Sequence, residues 1–292
     1  MVWFNYTRLN RLGLRDKFYF LLAAELLNLT LGEPVRLCVP ENSVEACLSM
    51  SVVMPNYVTC VKGQDKLSCM DLISNGRADL VNVGPEDLYV GMTHYDLGPL
   101  AMEVMANGEP YRARVVAVVR KSLKLDHLSD LRGKKSCHGH MNDVVGWHVP
   151  VTTLFSSGVM NADSRGILYS VTDFFQGSCV PGIWSSDPQL DTRLKNTHRR
   201  LCSSCHNSSC TTDQIYAGEE GALYCLLDGK GDIAFSTVQI ARDFFYARRG
   251  HESQYEYLCV NDLSRVSVRS SRPCYWAEIP SNAFIGRNVS SE

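Results

Sequence analysis

The sequence predicts an α/β protein folded as two similar halves, with mixed sheets and many disulfides. Three observations carry that expectation. Strand-like and helix-like segments alternate from Val35 onward, the pattern starts over after residue 110, and twelve cysteines fall between Cys38 and Cys274. Alternating strands and helices mark an α/β sheet. An even set of cysteines in this number marks a disulfide framework made in an oxidising compartment.

The elements follow in chain order. Val35–Val39 alternates like a half-buried strand, and Ser43–Met50 reads as a helix with Val44, Cys47 and Leu48 on one side. Tyr57–Val61 is a second strand. Lys66–Asn75 is a helix with Leu67, Met70, Leu72 and Ile73 facing inward, ended by Gly76. Ala78–Val83 is a third strand, closed by Gly84-Pro85. The second half opens on a Val-rich strand, Tyr111–Val119, followed by a short helical turn at Leu128–Gly133. Residues 180–215 are rich in Ser, Asp, Asn and Cys with little periodicity, and read as a loop region held by disulfides. Gly221–Leu227 is helical, Asp232–Phe235 is a strand, and Tyr255–Cys259 and Cys274–Ile279 read as late strands. Gly76-Arg77-Ala78-Asp79 and Gly231-Asp232 echo one another: each puts a helix stop and an acidic residue before a buried strand. Two similar halves of this kind are the makings of a hinged ligand clamp.

A chain of 292 residues, 45% of them hydrophobic, can bury a sizeable core. Lys+Arg 29 against Asp+Glu 31 leaves a formal charge of -2, so there is no basic surplus of the kind nucleic acid selects. Arg8, Arg11, Arg15 and Lys17 precede the apolar run Phe18–Ala24, and Thr30-Leu31-Gly32 offers small residues for cleavage. Residues 1–32 therefore read as a signal peptide. Asn207-Ser208-Ser209 and Asn288-Val289-Ser290 are glycosylation sequons; Asn5 and Asn28 start two more inside the leader.

The stretch Leu131–Pro150, LRGKKSCHGHMNDVVGWHVP, carries the strongest chemical signal. A strand, a loop of small residues and a helix start capped by Asn142 and Asp143 make a seat for an anion, since free N–H groups and the helix dipole point at it. Asp143, however, repels the anion that such a seat invites. His138 and His140 in the same stretch are a conceivable pair for a soft divalent ion, although loop histidines seldom play that part. Cys202, Cys205, Cys210 and His206 have the spacing of a zinc knuckle, against which stands the even cysteine count. Enzyme signatures are missing: no G-x-S-x-G, no phosphate loop, no H-E-x-x-H and no G-x-G-x-x-G. Trp147, Trp184 and Trp276 read as packing anchors.

Val35-Arg36-Leu37-Cys38, Gly76–Asp79, Val115–Lys121, LRGKKSCH at 131–138 with Gly146-Trp147, Phe174–Cys179 (FFQGSC), Gly229–Phe235 and Tyr255–Cys259 stand in an order that resembles one lobe of the transferrin family. The resemblance covers roughly residues 35–290 and is to a single, C-terminally truncated lobe like those of insect-type transferrins. It implies a periplasmic-binding-protein-like lobe, with one subdomain from 33–110 plus 280–292 and the other from 111–279. It also implies the pairs Cys38–Cys69, Cys47–Cys60, Cys137–Cys225, Cys179–Cys205, Cys202–Cys210 and Cys259–Cys274.

Lobes of that family bind one ferric ion through an Asp, two Tyr and a His, with carbonate held by an Arg, a Thr and a helix N-terminus. Carried over by position, the metal ligands become Gly84, Ala113, Glu219 and Asn282, and the carbonate residues become Gly139 for Thr and Asp143 for Arg. The backbone seat at Val145 and Gly146 alone is kept. The expectation is a secreted, extracellular, non-enzymatic member of an iron-transport family whose own metal and anion site is degenerate, with no cofactor. Its role would be structural, or to bind an extracellular or cell-surface protein or a second lobe. The alternative is ferric binding through remodelled ligands, with Tyr111 and Glu219 foremost and Glu86, Asp87 and Glu220 as further oxygen donors. Because the family lobe continues past the strand at Pro280-Ser281, the chain reads as a fragment, and a missing return segment would leave apolar surface exposed.

Overall fold

The computed structural model describes residues 33–102, 104, 111–248 and 250–287. The leader read at 1–32 and the sequon at Asn288 lie outside them. The chain forms β1 (Val35–Pro40), α1 (Val44–Val53), β2 (Val58–Gly63), α2 (Lys66–Ser74), β3 (Leu80–Val83), α3 (Pro85–His94) and β4 (Leu97–Met102). It continues with β5 (Arg112–Arg120), β6 (Lys135–Cys137), α4 (Val149–Ser156), α5 (Ile167–Phe174), β7 (Gly177–Cys179), α6 (Pro188–Thr197), α7 (Gly218–Leu227), β8 (Ile233–Thr237) and α8 (Val238–Ala247). The last strands are β9 (Tyr255–Leu258), β10 (Arg265–Ser267), β11 (Ala277–Pro280) and β12 (Ala283–Arg287).

Two compact units result. Residues up to 112 and from 280 on form the first, and Ala113–Ile279 the second. The first unit holds a five-stranded sheet in the order β2-β1-β3-β12-β4. β1 runs parallel to β2 and β3, while β12 is antiparallel to both β3 and β4, so the sheet is mixed. One face is packed by α2 and α3 around Cys69, Met70, Ile73 and Ile285, and the other around Leu37, Cys47, Val58 and Leu80. Leu67 of α2 is exposed rather than inward, because the buried stripe of that helix is Cys69, Met70 and Ile73. Leu48, Val52 and Val53 leave an apolar strip of α1 open to solvent.

The second unit holds a seven-stranded sheet along β10-β9-β5-β8-β6-β7, with β11 also pairing β5. β6 lies parallel to β7 and β8, and β5 is antiparallel to β8 and β9. Central β5 is buried from Val115 to Val119. Trp147 and Trp276 pack into the same core, and the Trp276 indole N–H donates to the Leu258 carbonyl at 2.8 Å.

The echo between the halves has a physical basis. In the first unit Asp79 N–H donates to the Arg36 carbonyl at 2.9 Å, while the Asp79 carboxylate accepts from Arg36 N–H at 2.8 Å. In the second, Asp232 N–H donates to the Lys135 carbonyl at 2.8 Å and its carboxylate accepts from Lys135 N–H at 2.8 Å. Each Asp thus clasps the start of a parallel neighbour strand. At Asp79 burial pushes the carboxyl up, but the Arg36 guanidinium, on both oxygens, holds it below its ordinary value.

The six disulfides are Cys38–Cys69, Cys47–Cys60, Cys137–Cys225, Cys179–Cys205, Cys202–Cys210 and Cys259–Cys274, and no cysteine is free. The zinc-knuckle alternative falls here, since Cys202, Cys205 and Cys210 have no thiolate to offer a metal. The region 180–215 is less irregular than its sequence predicts: α6 crosses it, capped by Asp187, whose carboxylate accepts from Gln189 and Leu190 N–H. α6 buries no residue fully, and Leu190 and Leu194 alone mark its inner side, too short a stripe to announce it.

Candidate functional site

The seat is built in the second unit. β6 delivers the chain from the sheet, Asn142 turns it with φ +60, and Asp143 sits extended as the cap of the following helical turn. The Asp143 carboxylate accepts from Gly146 N–H at 2.6 Å. Its carbonyl accepts from both Trp147 and His148 N–H, each at 2.9 Å, which opens the turn Val144–His148 to π width before α4 continues it. Such widened turns recur at functional sites.

His138 lies beneath this turn, fully buried among Trp147, Phe175 and Phe235. Its Nδ1 lies 2.5 Å from the Gly146 carbonyl, so Nδ1–H is the donor, and Nε2 accepts from the Ser136 hydroxyl at 2.9 Å. Ser136 in turn pairs with Ser178 at 2.7 Å. Burial pushes the imidazole down to about 4, against the upward pull of the Gly146 bond. A neutral ring with both nitrogens engaged is not available to a metal, and the pairing of His138 with His140 is set aside on that ground.

Close backbone packing completes the local geometry. A Cβ on Gly146 would come within 2.7 Å of Gly139 N, and a Cβ on Gly139 within 2.9 Å of the Gly218 carbonyl carbon. Gly218 N–H donates to the Gly139 carbonyl at 3.0 Å. The Thr implied by the resemblance would not fit at Gly139 unless one of these backbones moved.

Glu219 follows Gly218 at the start of α7. It is partly buried, and its Oε2 accepts from Thr237 N–H at 2.7 Å and lies 3.4 Å from Ser236 Oγ. Burial pushes its carboxyl up, the Thr237 bonds pull it down, and the nearby Asp143 charge adds an upward push; the balance is upward. Sequence reasoning missed Ser236 and Thr237 as partners. The signal was present: Thr237 caps α8, with Oγ1 accepting from Ile240 N–H, so a strand ending in Ser-Thr before an apolar-periodic run was readable. Ala113 lies in β5 of the same unit, whereas Tyr111 precedes β5 and belongs to the first unit.

In the first unit, Gly84 caps α3 in an extended conformation. A Cβ there would meet the Glu86 carboxylate at 2.6 Å, so Glu86 folds back over the position. Asp87 is ion-paired with Lys66 at 2.7 Å. Asn282 donates from Nδ2 to Asn82 Oδ1 at 3.3 Å, just before β12. In the second unit Glu220 lies 3.7 Å from Arg248. Asn207 is exposed, between Cys205 and Cys210. Among the described residues no three His, Cys, Asp or Glu side chains gather as a metal cluster, and no helix is long and apolar enough to cross a membrane.

Comparison with known proteins adds to this geometry. The Transferrin family model matches residues 35–292. A transferrin of Manduca sexta is 32% identical over 277 residues, covering 87% of this chain and 40% of its own. Ovotransferrin of Gallus gallus is 31% identical over 240 residues, covering 79% of this chain and 32% of its own. The solved structure of transferrin 1 from Manduca sexta superposes with a TM-score of 0.59 at 30% identity, over 88% of this chain and 43% of the other. The chain thus spans about two fifths of the length of the insect relatives it matches. With two α/β units, mixed sheets and six disulfides aligned along nearly all of its described length to such proteins, the chain belongs to the transferrin family.

Proposed function

We propose that this chain is a secreted, extracellular transferrin-family lobe that neither holds ferric iron at the inherited site nor acts as an enzyme. Its role is structural, or lies in contact with a partner. The observation that carries the reading is Glu219. At a position where the family supplies a phenolate, Glu219 directs its carboxylate to a backbone N–H and a hydroxyl of its own unit, at 2.7 and 3.4 Å. Its Oε2 is thereby turned toward its own unit, and Glu219 stands as a single carboxylate where the family set has several anionic ligands. Gly84, Ala113 and Asn282 offer no anionic oxygen, and a hard trivalent ion needs several. Asp143 replaces a bidentate cation with a like charge at the anion seat, which works against carbonate.

Six closed disulfides support an oxidising, extracellular setting, and exposure of Asn207 supports glycosylation there. The partner is an extracellular or cell-surface protein, or a second lobe of the kind that longer relatives have room for. Ferric titration at neutral pH with bicarbonate tests the metal part. We expect no stoichiometric visible band from phenolate-to-iron charge transfer. A bicarbonate-dependent band would restore the rival reading, a working carrier with remodelled ligands such as Tyr111 and Glu219.

A further inference from the structure

We propose that Asp143 acts as an internal oxyanion that occupies the anion seat, so that the seat is stoppered rather than merely weakened. The inference rests on the degenerate-site reading and extends it to what fills the place. Asp143 Oδ2 stands 2.6 Å from Gly146 N–H, where an external oxyanion would have to accept. The turn it caps runs directly into α4, so the carboxylate also lies at the positive end of that helical run. The space is tight. A Cβ on Gly146 would lie 3.2 Å from the same Oδ2 and 2.7 Å from Gly139 N, so Gly146, Gly139 and the Asp143 carboxylate are packed closely together.

Nearby, the Glu219 carboxylate stoppers a second helix start in the same way, on Thr237 N–H at 2.7 Å. Two N–H groups at helix starts, each open in principle to an anion, are thus closed by carboxylates of the chain itself. An incoming oxyanion would have to displace Asp143 from its bond and meet the Glu219 charge besides. An internal carboxylate needs no recruitment from solution, because it is held at the seat by the backbone beside it. The ligand class refused is therefore small oxyanions: carbonate, phosphate and sulfate.

The test follows the Gly146 amide by ¹⁵N NMR in the metal-free, disulfide-intact chain, with bicarbonate and then inorganic phosphate as probes. Three proteins are compared: wild type, Asp143→Ala and Asp143→Asn. The proposal expects no saturable movement of the wild-type Gly146 resonance, and saturable movement in Asp143→Ala. Asp143→Asn, which keeps a neutral acceptor on Gly146, should lie between and serves as the check if the Ala variant fails to fold. Saturable movement in wild type would overturn the proposal, as would folded Ala and Asn variants that both stay silent. Because no iron is present, the outcome is separable from the ferric titration. Wild type that binds bicarbonate but not iron would sink the stopper and leave the functional reading standing. Wild type that binds iron without any anion would do the reverse.

Discussion

At the residue scale, His138 shows how a side chain that looks chemical is made structural. Its ring is fully buried and its two nitrogens serve Gly146 and Ser136, so it stays neutral well below its ordinary value. The unfolded chain takes a proton near 6.5, whereas the folded chain refuses it until about 4. The stabilisation is therefore complete above 6.5 and is lost as pH falls through that window, a total of roughly 3 kcal/mol. An NMR titration of the His138 ring should show no shift between pH 8 and 5; a midpoint near 6.5 would contradict the burial argument. Glu219 has the opposite sign. Its raised value means that folding is disfavoured as pH climbs past the ordinary carboxyl range. Glu219→Gln, which keeps an oxygen for Thr237 N–H, should raise the Tm at pH 7 and lose that advantage in acid, as read by thermal melts at both pH values.

At the element scale, caps and bridges hold what packing does not. α6 buries no residue fully and depends on Asp187, which takes two N–H groups at its start. Asp187→Ala should cost about 1 kcal/mol in denaturant unfolding. Cys137–Cys225 ties β6 to α7 across a separation of 88 residues. Replacing both cysteines by Ser should cost roughly 2–5 kcal/mol, because so long a loop is freed in the unfolded chain. The same scale shows what the sequence could disclose. β1 and α2 were legible because each buries a periodic face, and β5 and β8 because each is a short run of residues buried on both faces. α6 was hidden because its inner side is only Leu190 and Leu194. α3 was hidden because Gly84-Pro85 reads as a stop, although Pro also suits the first turn of a helix. α8 was readable from Val238, Ala241, Phe244 and Phe245 but went unread. Disulfide pairing came from resemblance alone, since twelve cysteines permit far too many connectivities. At the site, the identities Gly139, Asp143 and Glu219 were plain in the sequence. What Asp143 and Glu219 hold was not, because Gly146 and Thr237 offer backbone N–H groups, which any residue other than Pro would supply.

At the scale of the whole molecule, each unit carries its own hydrophobic core, and the second is continuous in sequence from Ala113 to Ile279 with four of the disulfides inside it. That span should fold by itself when expressed oxidised, with near-UV circular dichroism matching the corresponding part of the full chain; a spectrum without fixed aromatic signals would refute this. The central claim is that a transferrin scaffold persists while its grip on cargo has been replaced by internal contacts of Asp143 and Glu219. The most direct measurement is a visible-absorbance titration of the purified full chain with a weakly chelated ferric salt at neutral pH, with and without bicarbonate. The account predicts identical, featureless spectra in both arms and no iron retained after desalting. A saturating phenolate band at one equivalent that appears only with bicarbonate would contradict it.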